Sequence, residues 1–572
     1  MSETILSPGV VTNENDSSFI TQQPIGAGAA IIGPTVKGPV ERPTIVTTYS
    51  EYVNKFGTSF ISGSQNYTYF TSISAYNYFN NGGTTLLVTR VTSGSFTPST
   101  SSFISGSDGT LGTIFKLETL SEGVIMNNDS IENADGSLPS GSADNIRWQI
   151  ISPNTSSGTF ALLIRRGDDD KISPTVLETW DNLSLDPISP NYIEKVIGNQ
   201  TTTISTDGSD TYLQYSGNYQ NQSRYVRVSQ VNRKTPNYLN NSGDPVPAYT
   251  SSIPLAGSGS FGSAVGTNIS TTEGKYYDSI TNTNSQGLVA SDYDQSISLL
   301  SNKDEYQFKY ISTPGLVRDF ASHASTVNTL ITTCQERGDT MAIVDMLDYN
   351  ANITEVVNEA STVNNSYAAT YWPWVQTVDP NTGQQVWVPA STMVPSIYAF
   401  TDSIAEPWIA PAGINRGILS TVIKAERILT QGNRDTIYAS NINPIATFPS
   451  TGVVVFGQKT LQKKKSALDR VNVRRLLIEL KTTIKQIADA LVFEQNTTST
   501  RNDFLSQVNP YLSSIQQRQG LYTYRVVMDE TNNTPLVIDN NQLIGAIYIQ
   551  PTKTAEFIVL DFNVTQTGVS FD

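Results

Sequence analysis

The N-terminal part of the chain alternates short apolar runs with stretches of helical spacing. Residues 29–33, 44–48 and 84–91 are apolar or β-branched runs bounded by Gly, Pro or polar residues, which predicts three strands. Between them, residues 50–57 predict a short helix capped by the serine and the glycine at its two ends. The aromatic spacing over residues 66–80 predicts a second helix. This order predicts an α/β layer in which helices cover a sheet.

A polar region interrupts this pattern after residue 91, where Gly, Ser, Thr, Asn and Asp dominate. Short alternating runs such as residues 146–151 and 160–165 predict hairpins with polar turns. We therefore expect two inserted β-rich domains, residues 92–190 and residues 191–300.

The α/β pattern then resumes. Residues 318–334 predict a helix, residues 341–345 a buried strand, and residues 353–363 a further helix. Two Trp- and Val-rich runs flank the turn at residues 379–383, which predicts a hairpin. The chain thus leaves one α/β core, makes a long β-rich excursion and returns to the core.

The C-terminal region is the region around which the rest is organised. Residues 453–456 predict a buried strand, residues 471–493 an amphipathic helix, and residues 543–550 a strand. The apolar face of that helix consists of Leu477, Leu480, Ile484, Ile487, Ala488 and Leu491. These elements predict a compact α+β module.

The expected fold is a multidomain protein that combines an α/β core, a C-terminal α+β domain and inserted β-rich domains. The predicted segments are an N-terminal extended arm (1–24), a first core segment (25–91), two insertions (92–190 and 191–300), a second core segment (301–404), a C-terminal domain (405–554) and a C-terminal arm strand (555–572).

Composition narrows the classes of function. The chain has 572 residues, a net charge of −15, 38% hydrophobic residues and a mean hydropathy of −0.23, values typical of a soluble protein of several domains. No run approaches the roughly 20 apolar residues of a membrane span, and the N-terminus lacks the features of a signal peptide. The chain contains one cysteine and one histidine, which disfavours metal sites, thiol nucleophiles and a Ser-His-Asp triad. We expect neither an enzyme nor a cofactor site.

For several motifs we prefer a structural interpretation to a functional one. Residues 26–31 mimic part of a dinucleotide fingerprint, yet they lack its third glycine and precede the strand. The acidic triplet 168–170 is interpreted as a solvated turn rather than a cation site. His323 and Cys334 are interpreted as structural residues, and the tryptophans at 372, 374 and 387 as a packed hairpin.

A basic stretch stands out from the acidic background. Residues 459–485 contain nine basic and two acidic residues, a local charge of +7, so the rest of the chain carries −22. The stretch contains no aromatic residue, which disfavours nucleic acid, and an acidic body disfavours it further. A solvated helix entrance and a docking face for an acidic protein surface remain as alternatives.

Several segments, in this order along the chain, resemble the sheath proteins of contractile phage tails. They are residues 30–40, 78–83, 178–187, 192–196, 371–375, 386–389, 410–413, 442–444, 471–476 and 555–557. The resemblance covers the α/β core on both sides of the excursion, whereas residues 92–177 and 200–300 are less typical.

The resemblance implies a structural subunit of a virion tail, assembled in the host cytoplasm. Such subunits form stacked six-subunit rings around an inner tail tube and contract to drive the tube through the host envelope. The implied partners are further copies of the chain, the inner tube protein, and baseplate and tail terminator proteins, with no nucleic acid and no membrane insertion. The β-rich insertions would lie on the outside.

The resemblance also implies that the terminal arms add strands to a small sheet in neighbouring subunits, which agrees with the apolar, extended character of both ends. The expected inter-subunit arm residues are Val10, Val11, Glu556, Phe557, Ile558, Val559, Leu560 and Phe562. The expected tube-facing basic residues are Lys463, Lys464, Lys465, Arg470, Arg474 and Arg475.

Three other hypotheses remain beside a phage sheath. The nearest is the sheath of a non-viral, pyocin-like contractile injection device, which the sequence barely separates from a phage. A β-rich surface adhesin or lectin would need a saccharide pocket and no polymerisation. A hydrolase is least favoured, because no pair of acids lies in an apolar setting.

Overall fold

The structure is a computed structural model that describes residues 27–62, 65–106, 112–129, 131–208, 210–267 and 280–556. In these residues the strands are β1 (Ala27–Gly33), β2 (Thr44–Val46), β3 (Ser59–Ser62), β4 (Gln65–Thr68), β5 (Leu86–Arg90), β6 (Pro98–Ser101), β7 (Phe115–Glu122), β8 (Ile146–Asn154), β9 (Thr159–Arg166), β10 (Val176–Ser184), β11 (Thr201–Asp207), β12 (Asp210–Ser216), β13 (Val226–Val231), β14 (Gly257–Gly259), β15 (Phe261–Gly262), β16 (Phe308–Val317), β17 (Met341–Asp345), β18 (Ala368–Trp372), β19 (Val375–Val378), β20 (Gln385–Val388), β21 (Val422–Ala425), β22 (Asn443–Phe448), β23 (Gly452–Val455), β24 (Leu521–Val527) and β25 (Ala546–Pro551).

The helices in the same residues are α1 (Tyr49–Phe56), α2 (Phe70–Asn80), α3 (Ile193–Ile197), α4 (Pro247–Thr250), α5 (Asp294–Leu299), α6 (Ala321–Arg337), α7 (Ile353–Ala360), α8 (Ala390–Ile404), α9 (Gln431–Ala439), α10 (Val471–Asp489), α11 (Thr498–Gln517) and α12 (Pro535–Asp539). None of the helices in the described portion of the chain is both long and apolar enough to cross a membrane.

An eight-stranded mixed sheet forms the centre, with strand order β2-β5-β1-β16-β17-β18-β22-β23. The six inner strands pair in parallel, whereas β2 and β23 are antiparallel edge strands. Alternate residues of β1 face opposite sides: Ile31 packs in a core shared with α2 and α8, and Ile32 in a core shared with α5 and α6. Helices thus cover both faces, which explains why the inner strands are almost entirely apolar.

The predicted elements of the α/β core are largely confirmed. The predicted strands correspond to β1, β2, β5 and β17, and the predicted helices to α1, α2, α6 and α7. Gly57 is the C-cap of α1, with a φ of +72°. The predicted N-cap Ser50 is wrong, because the hydroxyl of Thr48 accepts the hydrogen bond from the Glu51 amide at 3.1 Å.

The C-terminal boundary of the core differs from the prediction. Strand β23 was expected inside a C-terminal domain that begins at residue 405, but it pairs with β22 at the edge of the central sheet. Its residues Val453, Val454 and Val455 are buried, as an apolar run requires. The central domain therefore continues past residue 455.

The excursion is one β-rich domain rather than two. Its two four-stranded sheets have the orders β10-β9-β8-β14 and β13-β7-β6-β15, and they enclose a common core that includes Phe115, Trp148 and Phe160. Strands β13, β14 and β15 of the second predicted insertion pair with β7, β8 and β6 of the first, so the division at residue 190 is wrong. Residues such as Tyr293 and Leu299, also assigned to that insertion, pack in the central core.

The C-terminal module consists of α10, α11, α12 and the pair β24–β25. Its apolar core includes Trp408, Leu480, Phe504, Val508 and Leu512. Helix α10 belongs to two cores at once, because Val471 and Ile478 pack in the central domain while Leu476 and Leu480 pack in the module. The module is therefore joined to the central domain through a shared helix.

Candidate assembly surface

The pair β24–β25 is a two-stranded antiparallel sheet that has no further strand on either edge in the described residues. The paired residues Tyr524 and Ile549 pack on the module core, whereas the neighbouring pair Arg525 and Tyr548 faces outward, with Tyr548 63% exposed. A two-stranded sheet is marginal by itself, and open edges carry unpaired backbone groups. This sheet is suited to accept a further strand.

The chain leaves β25 along a groove of about 910 Å³ between the module and the central domain. The groove is lined by residues 551–556, by the loop before α10 and by the first turn of α10. The amide of Thr552 donates to the Gly520 carbonyl at 3.2 Å, and the Asn472 side chain donates to the Thr554 hydroxyl at 3.2 Å. The chain is thus fixed along the groove as far as Glu556, the last described residue.

Glu556 is held by three hydrogen bonds from its own subunit. Arg470 donates to both oxygens of its carboxylate, from Nε at 2.7 Å and from Nη2 at 3.0 Å, and Gln458 donates to Oε1 at 3.2 Å. Arg470 also pairs with Asp469 at 3.0 Å. In this subunit Glu556 is therefore bound at the point where the predicted arm begins, and its place in an exchanged strand stays a prediction. The other predicted arm residues, Val10, Val11, Phe557, Ile558, Val559, Leu560 and Phe562, lie outside the described residues.

The basic loop before α10 contains Lys463, Lys464 and Lys465. These three lysines are exposed and form no ion pair with any described residue. Lys463 and Lys465 line the groove. Lys464 instead lines an adjoining hollow of about 430 Å³ that includes Gln335 and Tyr367 and shares Gln462 and Ser466 with the groove.

The groove is lined by more basic than acidic side chains. Lys459, on its wall, donates to the Tyr438 carbonyl at 2.6 Å. Burial lowers the pKa of Lys459, and the positive charge of Arg470 lowers it further. The two carboxylates of the groove, those of Asp469 and Glu556, both pair with Arg470. One arginine thus pairs with two carboxylates, and the lysines of the groove form no ion pair with any described residue.

The arginines Arg474 and Arg475 of α10 are buried within the subunit. Arg474 is buried, donates to the Ser366 carbonyl at 3.2 Å and lies 3.9 Å from the ring centre of Tyr367. Arg475 is buried as well, forms an ion pair with Asp402 and lies 4.8 Å from the ring centre of Tyr398.

These positions correct the tube-facing prediction for Arg474 and Arg475, and Arg470 is occupied by Glu556 and Asp469. Residues 471–476 are all buried, because the first turns of α10 are inserted between two domains. Sequence reasoning counted the charges of this helix but missed that insertion. The signal was present in the apolar residues Val471, Val473 and Leu476, which flank the two arginines.

The other candidate residues have structural surroundings. Asp169 is buried and accepts hydrogen bonds from Arg165 at 2.7 Å and from Arg147 at 3.4 Å, so the prediction of a solvated acidic turn is wrong for this residue. In the described residues no group of three or more His, Cys, Asp or Glu side chains could hold a metal ion. His323 is buried and accepts the Val317 amide at 3.2 Å, and burial raises the pKa of Cys334 to about 12.

Comparisons with known proteins agree with this architecture. Residues 286–461 match the central domain of the phage tail sheath protein, and residues 463–565 match the phage tail sheath C-terminal domain. The boundary between these matches follows β23, where the structure also ends the central domain.

Individual relatives carry the same description. The tail sheath protein of Vibrio phage KVP40 is 39% identical over 209 residues, 36% of this chain and 31% of that protein. The tail sheath protein of Enterobacteria phage T4 is 35% identical over 233 residues, 41% of this chain and 35% of that protein. The chain therefore matches about a third of the length of these relatives. A solved sheath tail protein, Lin1278 from Listeria innocua, shares the fold with a TM-score of 0.53 over 92% of this chain and 95% of that chain, at 10% identity.

The domains that this chain matches belong to structural sheath proteins rather than to enzymes. More particularly, residues 286–461 and 463–565 are similar to the central and C-terminal domains of phage tail sheath proteins.

Proposed function

We propose that the chain is the repeating subunit of a contractile tail sheath, which forms stacked six-subunit rings around an inner tube and contracts to drive the tube through the host envelope. The observation that carries this proposal is the open sheet β24–β25 inside a domain that matches the phage tail sheath C-terminal domain. The inferred partners are further copies, the tube, the baseplate and the tail terminator. Assembly in the host cytoplasm and incorporation into the virion tail follow from the same proposal.

Terminal arms connect the subunits in this proposal. Residues 1–24 and the segment after Glu556 add strands to the open edges of β24–β25 in neighbouring copies. Each backbone hydrogen bond contributes only about 0.5–1.5 kcal/mol net, so the lattice is stabilised by repetition. The Arg470–Glu556 pair fixes the point from which the C-terminal arm departs.

Contact with the inner tube is assigned to the basic loop, with Lys464 as its leading candidate. Lys464 is exposed and lines a hollow that adjoins the groove holding the chain end. An exposed lysine forms weak, salt-sensitive contacts with an acidic surface. A contact of this kind is easily released during contraction.

The phage hypothesis is favoured over the non-viral device because the matched relatives are tail sheath proteins of phages. The matches to sheath domains favour the sheath proposal over the adhesin and hydrolase hypotheses.

The test is electron microscopy of the purified full chain, with tubes bearing axial striations as the expected result. Chains that lack residues 1–20 or residues 557–572 are expected to remain folded monomers, as measured by thermal unfolding and analytical ultracentrifugation. Truncation after Glu556 keeps the Arg470–Glu556 pair and so separates loss of the arm from loss of its anchor. A full chain that stays monomeric under all conditions contradicts the sheath proposal, and truncated chains that still form tubes contradict arm exchange.

A further inference from the structure

The C-terminal module has a tip at the last turn of α10. The tip consists of residues 489–497, at and after the end of α10, and residues 529–545, which contain α12. The buried side chain of Asn533 ties the two parts together, because its amide donates to the Ile544 carbonyl at 2.9 Å and its oxygen accepts a hydrogen bond from Asn496 at 3.3 Å. The loops of the tip are therefore held in place within the subunit.

Large apolar side chains of this tip are exposed to solvent. They are Val492, Phe493, Leu536, Ile538 and Ile544. Phe493 is the extreme case, because its side chain is fully exposed and its backbone has a φ of +73°. A bulky residue in the left-handed region is strained, and such strain persists where the side chain has a function that offsets it. Within the described residues the ring gains no burial that would do so, so the tip presents an apolar side chain that a second molecule can bury.

The charged side chains of the tip are all negative. The tip contains no lysine or arginine, and its acidic residues, all exposed, are Asp489, Glu494, Asp529, Glu530 and Asp539. None of these five carboxylates forms an ion pair with any described residue. A surface that fits the tip therefore combines an apolar hollow with positive charge.

The groove beside β25 has both properties. The apolar part of its lining consists of small side chains, those of Ala360, Ala439, Ala467, Val473, Pro551 and Ala555. Small side chains leave room for a large one, and the volume of about 910 Å³ exceeds what a phenylalanine ring needs. Lys463, Lys465 and Lys553 line the same groove, are exposed and form no ion pair with any described residue. The groove thus offers space for an aromatic ring and positive charges for the acids beside it.

The tip and the groove lie at opposite ends of α10. The groove contains Asn472 in the first turn of the helix, whereas the tip begins at Asp489, its last residue. With a rise of about 1.5 Å per residue, these positions are about 25 Å apart along the helix. Because α10 packs in both the central core and the module core, a subunit cannot bring its own tip to its own groove. The groove that a tip can enter therefore belongs to another copy of the chain.

We propose that the groove binds the tip of a second copy of the chain, with the ring of Phe493 among the small apolar side chains and the acids of the tip facing Lys463 and Lys465. This inference rests on the proposed self-assembly and adds a contact that involves neither terminal arm. Because two different surfaces meet, the contact is head-to-tail and repeats from copy to copy, as a helical assembly requires. The complementary charges orient the encounter, and the buried ring stabilises the complex. The assignment takes Lys463 and Lys465 away from the inner tube and leaves Lys464 as the tube candidate.

Two substitutions test the contact from its two sides. Phe493→Ser removes the ring, and Ala467→Trp fills the groove from an exposed position. The matched controls lie in the β-rich domain: Ile172→Ser removes another exposed apolar side chain, and Ala134→Trp adds the same ring outside the groove. Each test variant is expected to raise the lowest subunit concentration that polymerises about tenfold, as measured by sedimentation and electron microscopy. The controls should polymerise like the unaltered chain.

Cross-linking tests directly whether the two surfaces meet. A chain with Phe493→Cys is mixed with a chain that carries Ala467→Cys and a size tag, and the mixture is oxidised with copper phenanthroline. We expect a disulfide-linked dimer of the two different chains. Ile172→Cys in place of Phe493→Cys is the control and should give no such dimer. The natural cysteine, Cys334, is buried and does not compete.

A Phe493→Ser chain that polymerises normally overturns the inference, and loss of inner-tube binding by that chain would assign the tip to the tube. Impaired polymerisation of the Ala467→Trp chain alone would mean that another segment, such as residues 557–572, occupies the groove, which also overturns it. Tubes of the cysteine chains without the mixed dimer would show that tip and groove do not meet, while the sheath proposal stands. A mixed dimer in a solution that never forms tubes would support this contact and contradict the sheath proposal.

Discussion

The guanidinium of Arg470 donates to both carboxylate oxygens of Glu556, at 2.7 Å and 3.0 Å, across 86 positions of sequence. The two parallel hydrogen bonds fix orientation as well as distance, which a lysine at position 470 could not do. Because Arg470 precedes the first residue of α10, the pair ties the end of the described chain to the helix that joins both domains.

Glu556→Gln tests this anchor. The amide keeps the shape of the side chain but removes its charge, and both partners are partly exposed, so we expect a loss of about 1 kcal/mol in the local opening free energy, about a fivefold change. Hydrogen exchange of the amides at residues 552–556 should accelerate accordingly. Glu494→Gln, an exposed change in the loop after α10, is the matched control and should leave this exchange unchanged. Equal protection in both variants would mean that the pair contributes nothing to holding the chain end.

A second prediction concerns the adjacent buried arginines of α10. Arg475→Met leaves the carboxylate of Asp402 without its cation, and removal of one partner of a buried pair is strongly destabilising. Because Asp402 is 26% exposed, we expect the unfolding free energy to fall by about 2–3 kcal/mol, less than for a fully buried ion pair. Arg474→Met is the matched control. It removes hydrogen bonds to Ser366 and stacking on Tyr367 but leaves no carboxylate without its cation, so we expect the unfolding free energy to fall by about 1–2 kcal/mol.

Urea denaturation followed by tryptophan fluorescence measures both changes. An Arg474 variant that is less stable than the Arg475 variant would contradict the ion-pair argument. If the chain binds an inner tube as proposed, folded Arg474 and Arg475 variants should bind it normally, since both side chains are buried.

The local sequence pattern predicted individual helices and strands better than it predicted the sheets and domains to which they belong. The run at Met341–Asp345 is a strand at the predicted residues, because its four consecutive apolar residues fit a strand that is buried on both faces. The same pattern did not predict which strands pair with each other. Strand β1 pairs with β16 from far along the chain, and β23 belongs to the central sheet although a local pattern assigned it to the C-terminal domain.

The candidate site illustrates the same limit. The basic loop at Lys463–Lys465 was found from its charge alone and is exposed as expected. The burial of Arg474 depends on Tyr367 and Ser366, more than a hundred residues earlier, and the partner of Arg470 lies 86 residues later. Charge counting along a helix therefore identifies a basic region but does not separate a surface cation from one that holds two domains together.

A third prediction follows from Asp345, whose buried carboxylate accepts the Ser391 amide at 3.0 Å at the start of α8. Burial raises its pKa from 3.8 to about 7. The folded state therefore holds a proton that the unfolded chain loses near pH 4, so the stability from this group is fully present at acidic pH and is lost as pH rises towards 7. Between about pH 4.5 and pH 6.5 the slope is about −1.4 kcal/mol per pH unit.

Asp345→Asn removes this titration. We expect the difference in unfolding free energy, unaltered chain minus variant, to fall as pH rises through this window and to stay constant above about pH 7.5. Burial also raises the pKa of Glu426 to about 7, but that carboxyl is present in both proteins and cancels in the difference. A difference that does not change between pH 5 and pH 7 would mean that Asp345 is ionised throughout.

The last prediction concerns Phe493, which is 102% exposed and has a φ of +73° in the loop after α10. A side chain in this left-handed region costs about 1–2 kcal/mol, and the exposed ring gains no burial within the subunit that would offset it. Phe493→Gly should therefore raise the unfolding free energy by about 0.5–1 kcal/mol, after the larger chain entropy of glycine is included. Val492→Gly, one position earlier and without a positive φ, should lower it by a similar amount. A Phe493→Gly variant less stable than the unaltered monomer would show that the ring packs within the subunit. A more stable monomer would show instead that this residue is strained in the isolated chain, so any role of its ring lies in contacts between subunits.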